Sequence, residues 1–109
     1  MRYPSPSDPA NAPVWENYVA AQTSQASLGI VPRSAVALGV LVAGTSVTLR
    51  FQLAACSQQD IDDMNDIVAE LEVLLGPGVS VTRSFDVLQH RDISARDGVR
   101  WVYLARDDR

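Results

Sequence analysis

The sequence predicts an α+β fold, a two-layer sandwich in which two helices pack on one face of a four-stranded, mostly antiparallel sheet. Two patterns of apolar residues predict it. Two segments repeat apolar residues every three or four positions, as helices do, and four segments repeat them every second position, as strands do. The elements follow in the order α-β-β-α-β-β, and two hairpins separated by a helix most simply form such a sheet.

Composition restricts the class of protein. The chain has 109 residues, of which 47% are hydrophobic and 20% are charged, and this suits one globular domain. The net charge is −4, and no basic cluster could neutralise many phosphates, so we expect no nucleic-acid partner. No apolar run approaches the ~20 residues of a membrane helix, and the N-terminus has no apolar secretory signal. We therefore expect a cytoplasmic protein without membrane attachment.

The N-terminal part divides into an arm and a helix. Residues 1–12 contain three prolines, which fix φ and donate no hydrogen bond, so this segment is expected to be an extended proline-rich arm. The single α+β domain is predicted over residues 13–109. Its first helix is predicted from residue 13 to about 27, where Gly29 and Pro32 prevent its continuation.

Residues 34–54, "SAVALGVLVAGTSVTLRFQLA", predict a hairpin with its turn near residues 43–45. The second strand alternates apolar and polar residues, which indicates one core face and one wet face. The first strand is apolar on both faces, so a central or covered position is expected.

A second helix is predicted between Ser57 and Gly76. Ser57 and Asp60 form a capping signal at its start, and Gly76 with Pro77 ends it. Strands are then predicted over residues 79–89 and 99–106, and they are expected to form a second hairpin. Trp101 and Tyr103 should share one face of the last strand, because side chains alternate along a strand.

The second helix has an unusual charge. Its six acidic residues occur without a basic one, and pairs of like charges one turn apart destabilise a helix by a few tenths of a kcal/mol each. A solvated face is one interpretation, and a docking surface for a cationic partner is another, with Asp62, Asp63, Asp66 and Glu70 as its residues. A metal site is a third, but the Ca²⁺-loop pattern fails at its fifth and sixth positions, so no metal ligands are predicted.

The segment "HRDISARDG", residues 90–98, resembles a protein-kinase catalytic loop. The chain has no lysine and no glycine-rich phosphate loop, which a kinase needs, so the kinase interpretation fails. Three interpretations remain, namely a charged turn, a second partner contact through His90, Arg91, Asp92 and Arg96, and a catalytic site. We predict no catalytic residues and no cofactor.

Four segments together resemble small immunity proteins of bacterial polymorphic and contact-dependent growth-inhibition toxin systems. They are "VWENYV", "VTLRFQL", "DIDDMNDIVAELEVLLG" and "DISARDGVRWVYLAR", and the resemblance covers roughly residues 14–106. It implies a small acidic cytoplasmic protein without catalytic activity, which binds and neutralises a cognate toxin domain with a basic surface, a nuclease being one candidate. Immunity proteins have many unrelated folds, so the resemblance assigns no site residue.

Two other hypotheses remain open. The first is a self-associating structural or regulatory subunit of a bacterial complex. The second is a small enzyme that uses His90 and Asp92. The oligomeric state and the identity of a partner are not predicted.

Overall fold

The structure, a computed structural model, describes residues 12–93 and 98–105. The predicted arm therefore lies outside the described residues except for its last position, where the first helix begins. The elements are α1 Ala12–Ser27, β1 Ala35–Ala43, β2 Ser46–Leu53, α2 Gln58–Leu75, β3 Ser80–Val87 and β4 Arg100–Leu104. The predicted α+β class and the predicted order of elements are confirmed.

The sheet is mixed, with the strand order β3-β2-β1-β4. β1 pairs antiparallel with β2 and with β4, whereas β2 and β3 are parallel. The predicted mostly antiparallel sheet with a second hairpin was therefore wrong, because β3 and β4 lie at opposite edges. The physical reason is that α2 returns the chain along the sheet before β3 begins, which is the connection that parallel strands require.

Both helices pack on the same face of the sheet, as predicted. One core cluster contains the inward side chains of β1 and β2 together with side chains of both helices. Its fully buried members on β2 and α2 are Val47, Leu49, Phe51, Leu53, Met64, Ile67 and Leu71. At the β4 side, Trp15 of α1 donates from Nε1 to the Gly44 carbonyl oxygen at 2.9 Å, which ties this helix to the β1–β2 turn.

Trp101 and Tyr103 lie on opposite faces of the sheet, so the prediction that they share a face was wrong. Tyr103 is opposite Leu38 and packs against the core, whereas Trp101 is opposite Gly39 on the other face. The pairing of β1 with β4 shifts between Leu38 and Gly39, and this irregularity breaks the alternation. A Cβ atom at Gly39 would lie 2.8 Å from Cε3 of Trp101, so the ring occupies the space that the glycine leaves.

The start of α2 is a complete capping box. The Ser57 hydroxyl accepts from the Asp60 N–H at 3.1 Å, and the Asp60 carboxylate accepts from the Ser57 N–H at 2.9 Å. Burial alone would raise the pKa of Asp60, but hydrogen bonds from the backbone and hydroxyl of Ser57 and from Ser34 outweigh it and lower the pKa below its ordinary value. Asp60 therefore belongs to the folding machinery of α2 and not to its surface charge.

Candidate functional site

Most acidic residues of α2 lie away from the side of the helix that packs on the sheet. The inward side consists of Asp60, Met64, Ile67 and Leu71, which are buried. At 100° per residue, positions 62, 66, 69 and 73 lie opposite that side, and position 70 lies about 90° from its centre. Asp62 and Asp66 are exposed on the outward side, Glu70 is exposed on its flank, and Asp63 is half-buried. We call the exposed residues Asp62, Asp66, Glu70 and Val73 the acidic face.

No positively charged side chain among the described residues neutralises the carboxylates of the acidic face. Gln58 donates to the Asp62 carboxylate at 3.0 Å, and Gln59 donates to the Asp63 carboxylate at 2.8 Å, but both donors are neutral. The carboxylates of Asp66 and Glu70 form no hydrogen bond or ion pair with any residue in 12–93 or 98–105. Successive carboxylates one turn apart therefore repel each other without a cation between them.

The arginine on the neighbouring strand leaves this charge unpaired. Arg83 of β3 donates from Nε to the Asn65 side-chain oxygen at 2.8 Å. Its guanidinium also lies over the Phe85 ring, 5.7 Å from the centroid. Arg83 thus contacts a neutral amide and an aromatic ring, and it forms no ion pair with a carboxylate of α2.

An apolar side chain lies among these charges. Val73 is 75% exposed, the highest value among the large apolar residues that the structure describes. It shares the outward side of α2 with Asp66 and Glu70. A partner that binds these carboxylates would also cover Val73, which would add apolar burial to the contact.

The predicted second contact lies on the other face of the sheet. Gln52 of β2 faces away from the core, and its amide forms two hydrogen bonds with the backbone of Asp92, at 2.6 and 2.9 Å. Arg91 donates to the Ala105 carbonyl oxygen at 2.7 Å, and His90 is exposed. Arg96 lies outside the described residues. The sheet therefore separates Asp92 from the acidic face, and no flat partner surface could contact both.

The same side of the sheet contains a cavity that sequence reasoning missed. Its volume is about 440 Å³, and it lies between β2, β3, β4 and the segment after β3. The Arg50 guanidinium and the Asp86 carboxylate are 4.0 Å apart in its wall, both well exposed, and the buried indole Nε1 of Trp101 has no hydrogen-bond partner among the described residues. The alternating polar residues of β2 did predict a wet face, but they gave no sign that a crossing segment would enclose part of it.

The described residues contain no group of three or more His, Cys, Asp or Glu side chains that is placed to hold a metal ion. Within the same residues, no helix is both long and apolar enough to cross a bilayer. The candidate sites among the described residues are the acidic face, the segment around Asp92 and the cavity beneath that segment.

Comparison with known proteins adds no name to these surfaces. The sequence matches no model of a protein family, and a search of curated proteins finds no similar sequence. Function is therefore inferred from the chemistry of the described surface.

Proposed function

We propose that this protein is a non-catalytic binding protein, a cytoplasmic immunity protein that neutralises a cognate bacterial toxin domain through the acidic face. The observation that carries the proposal is the set of exposed carboxylates of Asp66 and Glu70, which have no cationic partner within residues 12–93 and 98–105 and lie on the same side of α2 as the exposed Val73. The resemblance of the sequence to immunity proteins supplies the class of partner.

The energetics favour a binding role over a folding role for this surface. The inward side of α2 and its capping box already account for the helix, and the outward acids add repulsion instead of stability. A basic partner replaces the repulsion among these carboxylates with attraction, because each carboxylate then lies near an arginine or lysine. Long-range attraction between the two surfaces also accelerates their encounter, and it weakens as salt increases.

The partner is expected to have a concave or flat basic surface with a small apolar site at one end. Asp62, Asp66 and Glu70 follow one another at steps of about 6 Å along the helix axis, which is four residues at 1.5 Å each. Such a row of carboxylates can occupy a groove that is lined with arginine and lysine, for example the substrate groove of a nuclease. Val73 would fill the apolar site at the end of that row.

The segment around Asp92 is a separate surface in this proposal. Its residues His90, Arg91 and Asp92 were predicted as a second contact, and this stays a prediction. A partner that touches both surfaces has to reach around an edge of the sheet, which an elongated toxin domain could do and a compact one could not.

The experiment is a pull-down of the tagged full chain from lysate of the native host, washed at low and at high salt, with mass spectrometry of the retained proteins. We expect one stoichiometric partner with a basic surface, whose activity the purified chain inhibits at equimolar ratio. Recovery of the bait alone, or of a partner whose activity is unaffected, would overturn the proposal.

A further inference from the structure

The two edge strands of the sheet, β3 and β4, differ in how many backbone hydrogen-bonding groups they leave unpaired. β4 has 5 residues, and the chain just beyond it is engaged, because the Ala105 carbonyl oxygen accepts from Arg91. β3 has 8 residues and pairs only with β2, so its outer edge is unpaired among the described residues. An edge of that length is a template for another strand unless something covers it.

Alternation decides which backbone groups of β3 point outward. The N–H of Ser80 donates to Thr45, and the N–H of Leu88 donates to Leu53, both at 2.8 Å and both toward β2. Residues with even numbers therefore direct their backbone groups inward, and Val81, Arg83, Phe85 and Val87 direct theirs outward. These four residues present an open row of donors and acceptors.

We infer that this row binds the same row of a second copy of this chain, antiparallel, with Ser84 on the two-fold axis. In that register Arg83 is opposite Phe85 of the second copy, and Val81 is opposite Val87. All four outward residues form hydrogen-bonded pairs, and no outward residue beyond β3 is needed. The two sheets join into one continuous sheet of eight strands.

The register follows from charge and chemistry. A symmetric antiparallel pair has its axis on a residue, because identical faces of the two sheets must coincide. An axis at Arg83 would oppose two guanidinium groups, and an axis at Asp86 would oppose two carboxylates, which is destabilising in both cases. An axis at Phe85 would leave Val81 opposite residue 89, outside the strand. The axis at Ser84 avoids all three defects.

The pairs that this register creates are favourable on both faces. On the helix side, the Arg83 guanidinium already lies over the Phe85 ring of its own chain, and the register offers it a second ring from the other copy. Val81 meets Val87, which is 54% exposed and becomes covered. On the opposite side Thr82 meets Asp86, a hydroxyl donor with a carboxylate acceptor.

The dimer has a salt dependence opposite to that of the acidic face with a basic partner. The two-fold axis is perpendicular to the sheet, so both copies of α2 lie on one side and their carboxylates repel across the junction. Raising ionic strength from about 0.01 to about 1 M shortens the Debye length from ~30 to ~3 Å and removes this repulsion. We therefore expect salt to strengthen the dimer, whereas it weakens binding of a basic partner to the acidic face. Opposite salt dependences let an experiment contradict one proposal without contradicting the other.

Disulfide cross-linking tests the register directly. Ser84 and its symmetry mate form a non-hydrogen-bonded pair with Cα atoms ~4.5 Å apart, within the range of a disulfide. We expect Ser84→Cys, made in a Cys56→Ser background, to form a covalent dimer under mild oxidation. The matched control is Thr82→Cys, whose mates are offset by four residues, about 13 Å, and should not cross-link. Cross-linking of Thr82→Cys with none of Ser84→Cys would overturn the register.

Sedimentation at increasing concentration tests the dimer without cysteine chemistry. Phe85→Pro removes an outward N–H, which the monomer does not use, so the fold should persist while the dimer weakens about tenfold or more. Phe85→Leu keeps that N–H and should stay within about threefold of the wild type. A strict monomer at high salt and high concentration would overturn the inference, and so would equal weakening by the two substitutions. A dimer that survives Phe85→Pro would assign the contact to another surface.

Discussion

The two sides of helix α2 contribute differently to the stability of the fold. The inward side stabilises it, since Met64, Ile67 and Leu71 are fully buried and Asp60 completes the capping box. The outward side does not, because Asp66 and Glu70 repel each other and Val73 is exposed. The difference teaches that one helix can hold the fold with one side and be free to serve a partner with the other.

The largest effect is expected on the inward side. Leu71 is fully buried in the core cluster that also contains Phe51, so Leu71→Ala removes buried apolar atoms and leaves a cavity there. We expect the free energy of unfolding to fall by about 2–5 kcal/mol, measured by urea denaturation. A loss no greater than that of Val73→Ala, an exposed residue on the same helix, would contradict the distinction between the two sides.

A smaller effect is expected from the single inward acid. Asp60→Ala leaves the Ser57 and Ser34 N–H groups without their acceptor, and we expect a loss of about 1–3 kcal/mol. Asp62→Ala, which removes an outward acid two positions away, serves as the control and should change the free energy of unfolding much less. Equal losses would mean that the capping box contributes nothing specific.

The same acid predicts a dependence on pH. The pKa of Asp60 is lowered by folding, so its contribution is complete above the ordinary value of 3.8 and is lost as pH falls through the lowered folded value. The difference in free energy of unfolding between wild type and Asp60→Asn should therefore be constant at neutral pH and shrink below about pH 4. Urea denaturation across this range measures it, and a difference that grows toward acid pH would contradict the direction of the shift.

The smallest effect on stability is expected on the outward side. Asp66→Asn with Glu70→Gln removes a repulsive pair and breaks no described hydrogen bond, so we expect no loss and a gain of a few tenths of a kcal/mol. Thermal unfolding at low salt measures this gain. A clear loss of stability would show that these carboxylates belong to the fold and that the two sides of α2 do not differ in role.

Sequence patterns within a few residues predicted the helices, strands and turns, but they did not predict which distant strands pair. The Ser57–Asp60 capping pattern and the β1–β2 turn are encoded within a few residues, and both are confirmed. The sequence of β3 is equally compatible with a partner on either side, so the choice of β2 depends on how α2 packs. Gln52 looked like a wet-face residue, yet it is 7% exposed, because a segment 40 positions away crosses over it.

The features of the candidate site also divide into those that the sequence predicts and those that depend on tertiary structure. The exposure of Asp62, Asp66 and Glu70 was predictable because helical spacing alone brings them together, whereas the exposed Val73 was not predicted and Asp63 is half-buried. The separation of the acidic face from the segment around Asp92 was not predictable, since that depends on which face of the sheet the segment crosses. The buried indole N–H of Trp101 was also beyond prediction, because the shift in pairing at Gly39 turns the ring to the open face.

The measurement that tests the central claim most directly is a parallel capture from native host lysate by three tagged chains. They are the wild type, the variant Asp66→Asn with Glu70→Gln, and a control variant Asp107→Asn with Asp108→Asn, which changes the net charge from −4 to −2 in the same way but lies outside α2. We expect the α2 variant to retain about a tenth or less of the basic partner that the wild type binds at low salt, and the control to retain nearly all of it. Equal retention by the two variants would show that net charge, and not the acidic face, governs binding, and it would contradict the role proposed for this face.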